Sequence, residues 1–76
     1  MKAGARIADY CRHICRFASG SGIGLIMAKT PDGWSWEWQG HGKGGSTAHT
    51  QPVALFHACQ DLEQKLADQA VKDFTQ

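Results

Sequence analysis

The sequence predicts an α+β domain of order α-β-β-(β)-α, an antiparallel hairpin sheet with two helices packed on its tryptophan face. Three observations carry this. Apolar residues recur at the helical period near both ends of the chain, over residues 7–18 and 55–70. Between them, two extended runs flank Thr30-Pro31-Asp32-Gly33, whose proline and glycine suit the turn of a hairpin. On the second run, Trp34, Trp36 and Trp38 alternate at the strand period and fall on one face.

The first helix follows from Ile7, Tyr10, Cys11, Ile14, Phe17 and Ala18, which share one arc, with Arg6, Asp9, Arg12, His13 and Arg16 opposite. Ser19-Gly20-Ser21-Gly22 ends it, because glycine takes the left-handed conformation that closes a helix. The hairpin spans residues 23–39. A type I turn with a glycine bulge at Gly33 would pair Thr30 with Trp34, Ala28 with Trp36 and Ile26 with Trp38. That register puts Ile23, Leu25, Met27 and Lys29 on the other face with Ser35, Glu37, Gln39 and His41, a mixed surface partly open to water or a partner.

Residues 41–45 are too glycine-rich for regular structure and read as a mobile loop, with a short third strand over residues 46–49. The last helix starts at Thr50 or Gln51, since Pro52 is tolerated in a first turn, and runs to about Lys72. Leu55, Cys59, Leu62, Leu66 and Ala70 line one side of it, and Asp61–Lys65 and Asp68–Lys72 are acid-first pairs four residues apart.

With 76 residues there is room for one core and a single domain over residues 1–76. The 42% hydrophobic and 20% charged content exclude disordered and collagenous classes. No apolar run approaches the ~20 residues of a membrane span, and Met1-Lys2-Ala3-Gly4 lacks the apolar core of a signal peptide, so the expectation is a cytoplasmic protein without a membrane partner. Three cysteines are an odd number, and two of them sit on a helix, which points to reduced thiols rather than a disulfide framework. The net charge of +1 exerts no global pull on nucleic acid. Charge is polarised, however: Lys2, Arg6, Arg12 and Arg16 make the first helix basic, and Asp61, Glu63, Asp68 and Asp73 make the last one acidic.

No catalytic constellation is evident. Cys59 and His57 are two apart on a helix and point to different sides, so they form no nucleophile and base pair. Cysteines 11, 15 and 59 and histidines 13, 41, 49 and 57 supply zinc-binding atoms but no Cys-x-x-Cys or His-x-x-x-His spacing, so no metal and no cofactor is expected. In Gly42-Lys43-Gly44-Gly45-Ser46-Thr47 the lysine comes too early and the helix too late for a phosphate loop. The tryptophans offer stacking surface for bases, but a core this small needs their bulk inside.

The order helix, three strands, helix, with Gly44-Gly45-Ser46-Thr47 leading into a helix bearing Ala54, Ala58 and Leu62, resembles the double-stranded RNA-binding domain. That resemblance implies RNA contact through lysines at the start of the second helix. The matching stretch here, His49-Thr50-Gln51-Pro52-Val53-Ala54, carries no permanent positive charge. In size, single α/β domain and lack of catalytic motifs the chain is also similar to the small inhibitors that phages and mobile elements make against host defences, such as anti-CRISPR proteins. This implies a stoichiometric inhibitor whose partner is a larger protein or nucleoprotein complex.

The expected function is accordingly a non-enzymatic binding protein. Its partner surface is expected to comprise Arg12, Arg16, Leu25, Met27, Glu37, Gln39, His41 and Lys43. The alternative is a nucleic-acid-binding module using Arg6, Arg12, Arg16, Lys43 and Trp34. A third reading is a redox or zinc protein built on the cysteines. A homodimer through the open sheet face or its edge is compatible with each.

Overall fold

The computed structural model describes residues 3–75. Met1 and Lys2 lie outside them, so the basic character of the first helix is read from Arg6, Arg12 and Arg16. The chain forms α1 (Ala3–Gly20), β1 (Leu25–Thr30), β2 (Gly33–Trp38), β3 (Gly42–Ser46) and α2 (Gln51–Thr75). The strands form one antiparallel sheet in sequential order, β1-β2-β3, and both helices lie on its tryptophan face.

Helix α1 buries Cys11, Ile14 and Ala18 and half-buries Tyr10 and Cys15, as its apolar arc predicts, while Ile7 and Phe17 stay largely exposed. It ends in a glycine-capped motif: Ile23 N donates to Ala18 O at 2.8 Å and Gly22 N to Ser19 O at 3.2 Å. Gly22 takes the left-handed φ of 73° that this cap requires. At the far end, Ala54 N donates to Thr50 O at 3.1 Å, so Thr50 opens α2 and Pro52 occupies its first turn. The helix continues slightly past Lys72, to Thr75.

The register of the hairpin differs from the expected one by a residue. Thr30 pairs with Gly33, Lys29 with Trp34, Met27 with Trp36 and Leu25 with Trp38. Pro31 and Asp32 alone form the loop, and Gly33 belongs to the ladder instead of a bulge outside it. Gly33 is still needed on two counts: its φ is positive, at 155°, and a Cβ there would overlap the Ser46 carbonyl oxygen, because the end of β3 lies directly against it. A slip of one residue exchanges the faces of a strand. Leu25 and Met27 therefore turn inward onto the tryptophans and pack on the core, and Ile26 and Ala28 turn outward.

The third strand also lies elsewhere than expected. It is the glycine-rich stretch itself, Gly42–Ser46, and residues 47–50 form the connection to α2. The pairing shows why glycine is tolerated in it. Trp34 stands opposite Ser46, Trp36 opposite Gly44 and Trp38 opposite Gly42, so each indole meets a residue small enough to leave it room. The turn into β3 is closed by His41 N donating to Trp38 O at 2.8 Å, with Gly40 at φ 83° where a type II turn requires a positive value.

Helix α2 seals the tryptophan layer with Ala54, Ala58, Cys59 and Leu62, all at 0% exposure. The small Ala54 and Ala58 let the helix come close. Trp38, 1% exposed, donates Nε1 to the Ala58 carbonyl at 2.8 Å. Leu55 and Leu66 are half-buried flanks of this stripe, and Ala70 lies beyond the body in an exposed stretch that also carries Val71 and Phe74. No described helix is long and apolar enough to cross a membrane.

Candidate functional site

The sheet is covered on one side only. On its bare side the alternation of each strand presents Ile26 and Ala28 from β1, Ser35 and Glu37 from β2, and Lys43 and Gly45 from β3. Ile26 is 53% exposed and is the one exposed large hydrophobic on the sheet among the described residues, the others, such as Phe17 and Phe74, lying on the helices. Glu37 sits between Ile26 on one neighbour and Lys43 on the other, so opposite charges flank each other across β2 and β3. Ser35 Oγ donates a long bond, 3.4 Å, to the Ala28 carbonyl. Ile26, Ala28, Ser35, Glu37 and Lys43, with Trp36 and Gly44, line a depression of about 230 Å³, smaller than the ~300–1,000 Å³ that encloses a small ligand. Its shape is that of a contact surface.

The residues expected to form one partner surface do not converge. Glu37 and Lys43 share the bare face, and Gln39 adjoins it, exposed at the end of β2 with its side chain lying over Gly24. Leu25 and Met27 are on the opposite face, within the core packing, because of the register described above. His41 sits in the β2–β3 turn beside Lys65 and Asp68 of α2. Arg12 and Arg16 are exposed on α1, on the helical side of the molecule, and Arg12 is bonded to Asp9 at 3.1 Å.

The face keeps its shape through a polar network behind it. Trp36 Nε1 donates to Asp61 Oδ2 at 2.8 Å, and Lys65 Nζ meets the same oxygen at 2.6 Å and the Lys43 carbonyl at 3.2 Å. The acid-first pair read from the sequence is thus also a clamp from α2 onto β2 and β3. A second tie joins Ser46 Oγ and His57 Nδ1 at 2.6 Å, with Ser46 Oγ also accepting from Ala48 N at 3.1 Å. Sequence spacing hid this pair, since its members are on different elements. Among the described residues no carboxylate bonds the other imidazole nitrogen, and the pair fastens the end of β3 to α2.

Trp34 does not protrude: it is half-buried, and its Nε1 is enclosed without a hydrogen-bond partner. The Tyr10 hydroxyl is enclosed in the same way, and its ring meets Phe56 edge-on at 5.6 Å. Burial, then the nearby Glu63 carboxylate, raises the Tyr10 pKa. Burial likewise raises the pKa of the Cys11 and Cys59 thiols. Among the described residues no group of three or more His, Cys, Asp or Glu side chains is placed to hold a metal ion.

Compared with known protein families, curated proteins and solved structures, the chain matches none.

Proposed function

We propose that this chain is a non-enzymatic binding protein that docks its bare sheet face on a larger protein or nucleoprotein complex. It would act as a stoichiometric inhibitor of a host defence, like the small phage-encoded proteins it resembles. The observation that carries the docking surface is the row across the bare face in which exposed Ile26 on β1, Glu37 on the central β2 and Lys43 on β3 stand side by side. An apolar residue beside a balanced pair of charges suits a protein surface. Phosphate recognition would need a surplus of positive charge, and base stacking would need exposed aromatic rings, which the inward-facing tryptophans do not offer.

The bare face measures about 14 by 20 Å from strand spacing and rise, or roughly 300 Å². A partner usually contributes ~800 Å², so the contact extends past this face, over an edge strand. The test is phage challenge of cells with an active CRISPR effector, in the presence of the wild-type chain, of Ile26→Asp or Glu37→Lys, or of Arg16→Glu on the helical side. Protection of the phage by wild type and Arg16→Glu, lost with folded Ile26→Asp and Glu37→Lys, supports the proposal. Folded open-face variants that act as wild type overturn the surface. Capture of nucleic acid from untreated lysate, with no protein recovered after nuclease, overturns the class.

A further inference from the structure

The three thiols of the molecule meet at one place, the contact between α1 and α2. Cys11 and Cys15 are one helical turn apart and so share a face of α1. Cys59 is fully buried on α2, in the core cluster that also holds Cys11 and against which Cys15 packs. The cluster is also reachable. A cleft of about 500 Å³ opens between α1 and the first turn of α2, bounded by Ile7, Arg12, Pro52 and Leu55, and Cys11 and Cys15 lie in its wall. Cys11 is 7% exposed and Cys15 is half-buried, so Cys15 is the thiol that a dissolved oxidant meets first.

We infer that Cys15 and Cys59 are a redox pair, a modification site at which a low-molecular-weight disulfide such as oxidised glutathione staples α1 to α2. The Cys15 thiolate attacks one sulfur of oxidised glutathione, forming a mixed disulfide and releasing glutathione thiolate. The Cys59 thiol then attacks the Cys15 sulfur, and its proton leaves with the second glutathione. Two protein thiols are oxidised to one bridge and one glutathione disulfide is reduced to two thiols. Cys11 and Cys15 do not bridge each other, because Cβ atoms one turn apart on a helix stand about 5–6 Å from one another and a disulfide needs about 3.5–4.5 Å. Cys59, on the facing helix, is the resolving partner. Its burial raises its pKa and makes it the slower thiol, so the resolving attack, in which its proton passes to the departing glutathione sulfur, sets the rate.

The bridge would tie the first helix to the last across most of the chain and make the stability of this small domain depend on the thiol redox state around it.

The experiment uses the full chain, incubated with oxidised glutathione and read by intact mass, tryptic mapping and melting temperature. Trypsin separates the thiols, since Arg12, Arg16, Lys43 and Lys65 leave Cys11 on residues 7–12, Cys15 on 13–16 and Cys59 on 44–65. The expected result is a monomer lighter by about 2 Da, with peptide 13–16 joined to 44–65, and a melting temperature raised by at least about 5 °C and restored by dithiothreitol. Cys11→Ala keeps the bridge and Cys15→Ala loses it. A stable glutathione adduct, a bridge that includes peptide 7–12, a disulfide-linked dimer or an unchanged mass each overturns the inference, and the wild-type mapping decides it even if a variant fails to fold.

Discussion

Adding one methyl group at Gly44 tests the arrangement on which the fold depends. An alanine Cβ there would stand 2.6 Å from Trp36 Nε1, 2.8 Å from Cε2 and 2.9 Å from Cζ2, closer than any real packing allows. The indole is 6% exposed and held between β3 and α2, so it can yield only by leaving its place. Overpacking of this kind costs about 1–3 kcal/mol, and displacing the ring also breaks its bond to Asp61, about 1 kcal/mol for a partly exposed site. The expected loss for Gly44→Ala is about 2–4 kcal/mol, or roughly 10–25 °C in the melting temperature of a domain this size. Gly45→Ala is the control. Its Cβ would meet the Trp34 carbonyl oxygen at 3.5 Å, an ordinary contact, and should change stability by no more than about 0.5 kcal/mol. Thermal and urea unfolding of the two variants measure the difference, and a red-shifted tryptophan emission in Gly44→Ala reports the displaced ring. Melting temperatures within about 2 °C of each other would refute the pairing of Trp36 with Gly44 and the reason offered for a glycine-rich strand.

Three further outcomes follow from the core and its ties. The raised pKa values of Cys59, Cys11 and Tyr10 mean that folding favours their protonated forms; their contribution is full below the ordinary thiol value of 9.0 and is lost as pH rises through the folded values. The melting temperature should fall progressively above about pH 9, less steeply in Cys59→Ala, and a flat profile to about pH 10.5 would contradict it. Asp61→Asn removes the ionised acceptor shared by Trp36 and Lys65 and should cost about 1–2 kcal/mol in urea unfolding; no change would show that the clamp contributes nothing. Ser46→Ala breaks the tie to His57 and should cost about 1 kcal/mol, with calorimetry as the readout and an unchanged transition as the refuting result.

Both helices and the hairpin are legible in the sequence because each is written in local signals. The arc of Cys11, Ile14 and Ala18 and the cap at Gly22 delimit α1 within its own residues, and Thr50 and Pro52 do the same for the start of α2. The register is not local. Gly33 looks like the positive-φ residue of a bulged turn, and it has a positive φ, but it stands inside the ladder, and its lack of a side chain also serves the approach of Ser46, thirteen residues later. A register one residue away puts Leu25 and Met27 outside and Ile26 inside, the reverse of their places in the structure. The third strand is hidden for a related reason: glycine is depleted in strands, and the cause of its presence here lies on the neighbouring strand. One signal joined the two. Gly42, Gly44 and Ser46 repeat every second residue, in step with Trp34, Trp36 and Trp38. Small residues at the same period as large ones mark an antiparallel pair, and that match would have located both β3 and the bare face.

The sequential order of the strands bears on how the chain reaches this state. Each strand pairs with its neighbour in sequence, and α2 returns directly over β2 and β3, so the sheet and last helix assemble from contacts between nearby stretches of chain. Helix α1 meets the rest at backbone distance through α2 alone. It is the element whose docking must wait for the other end of the chain, and the one that can detach while the strands and α2 remain paired. Amide exchange along the chain should then divide at the loop after Gly22, with faster exchange on the α1 side.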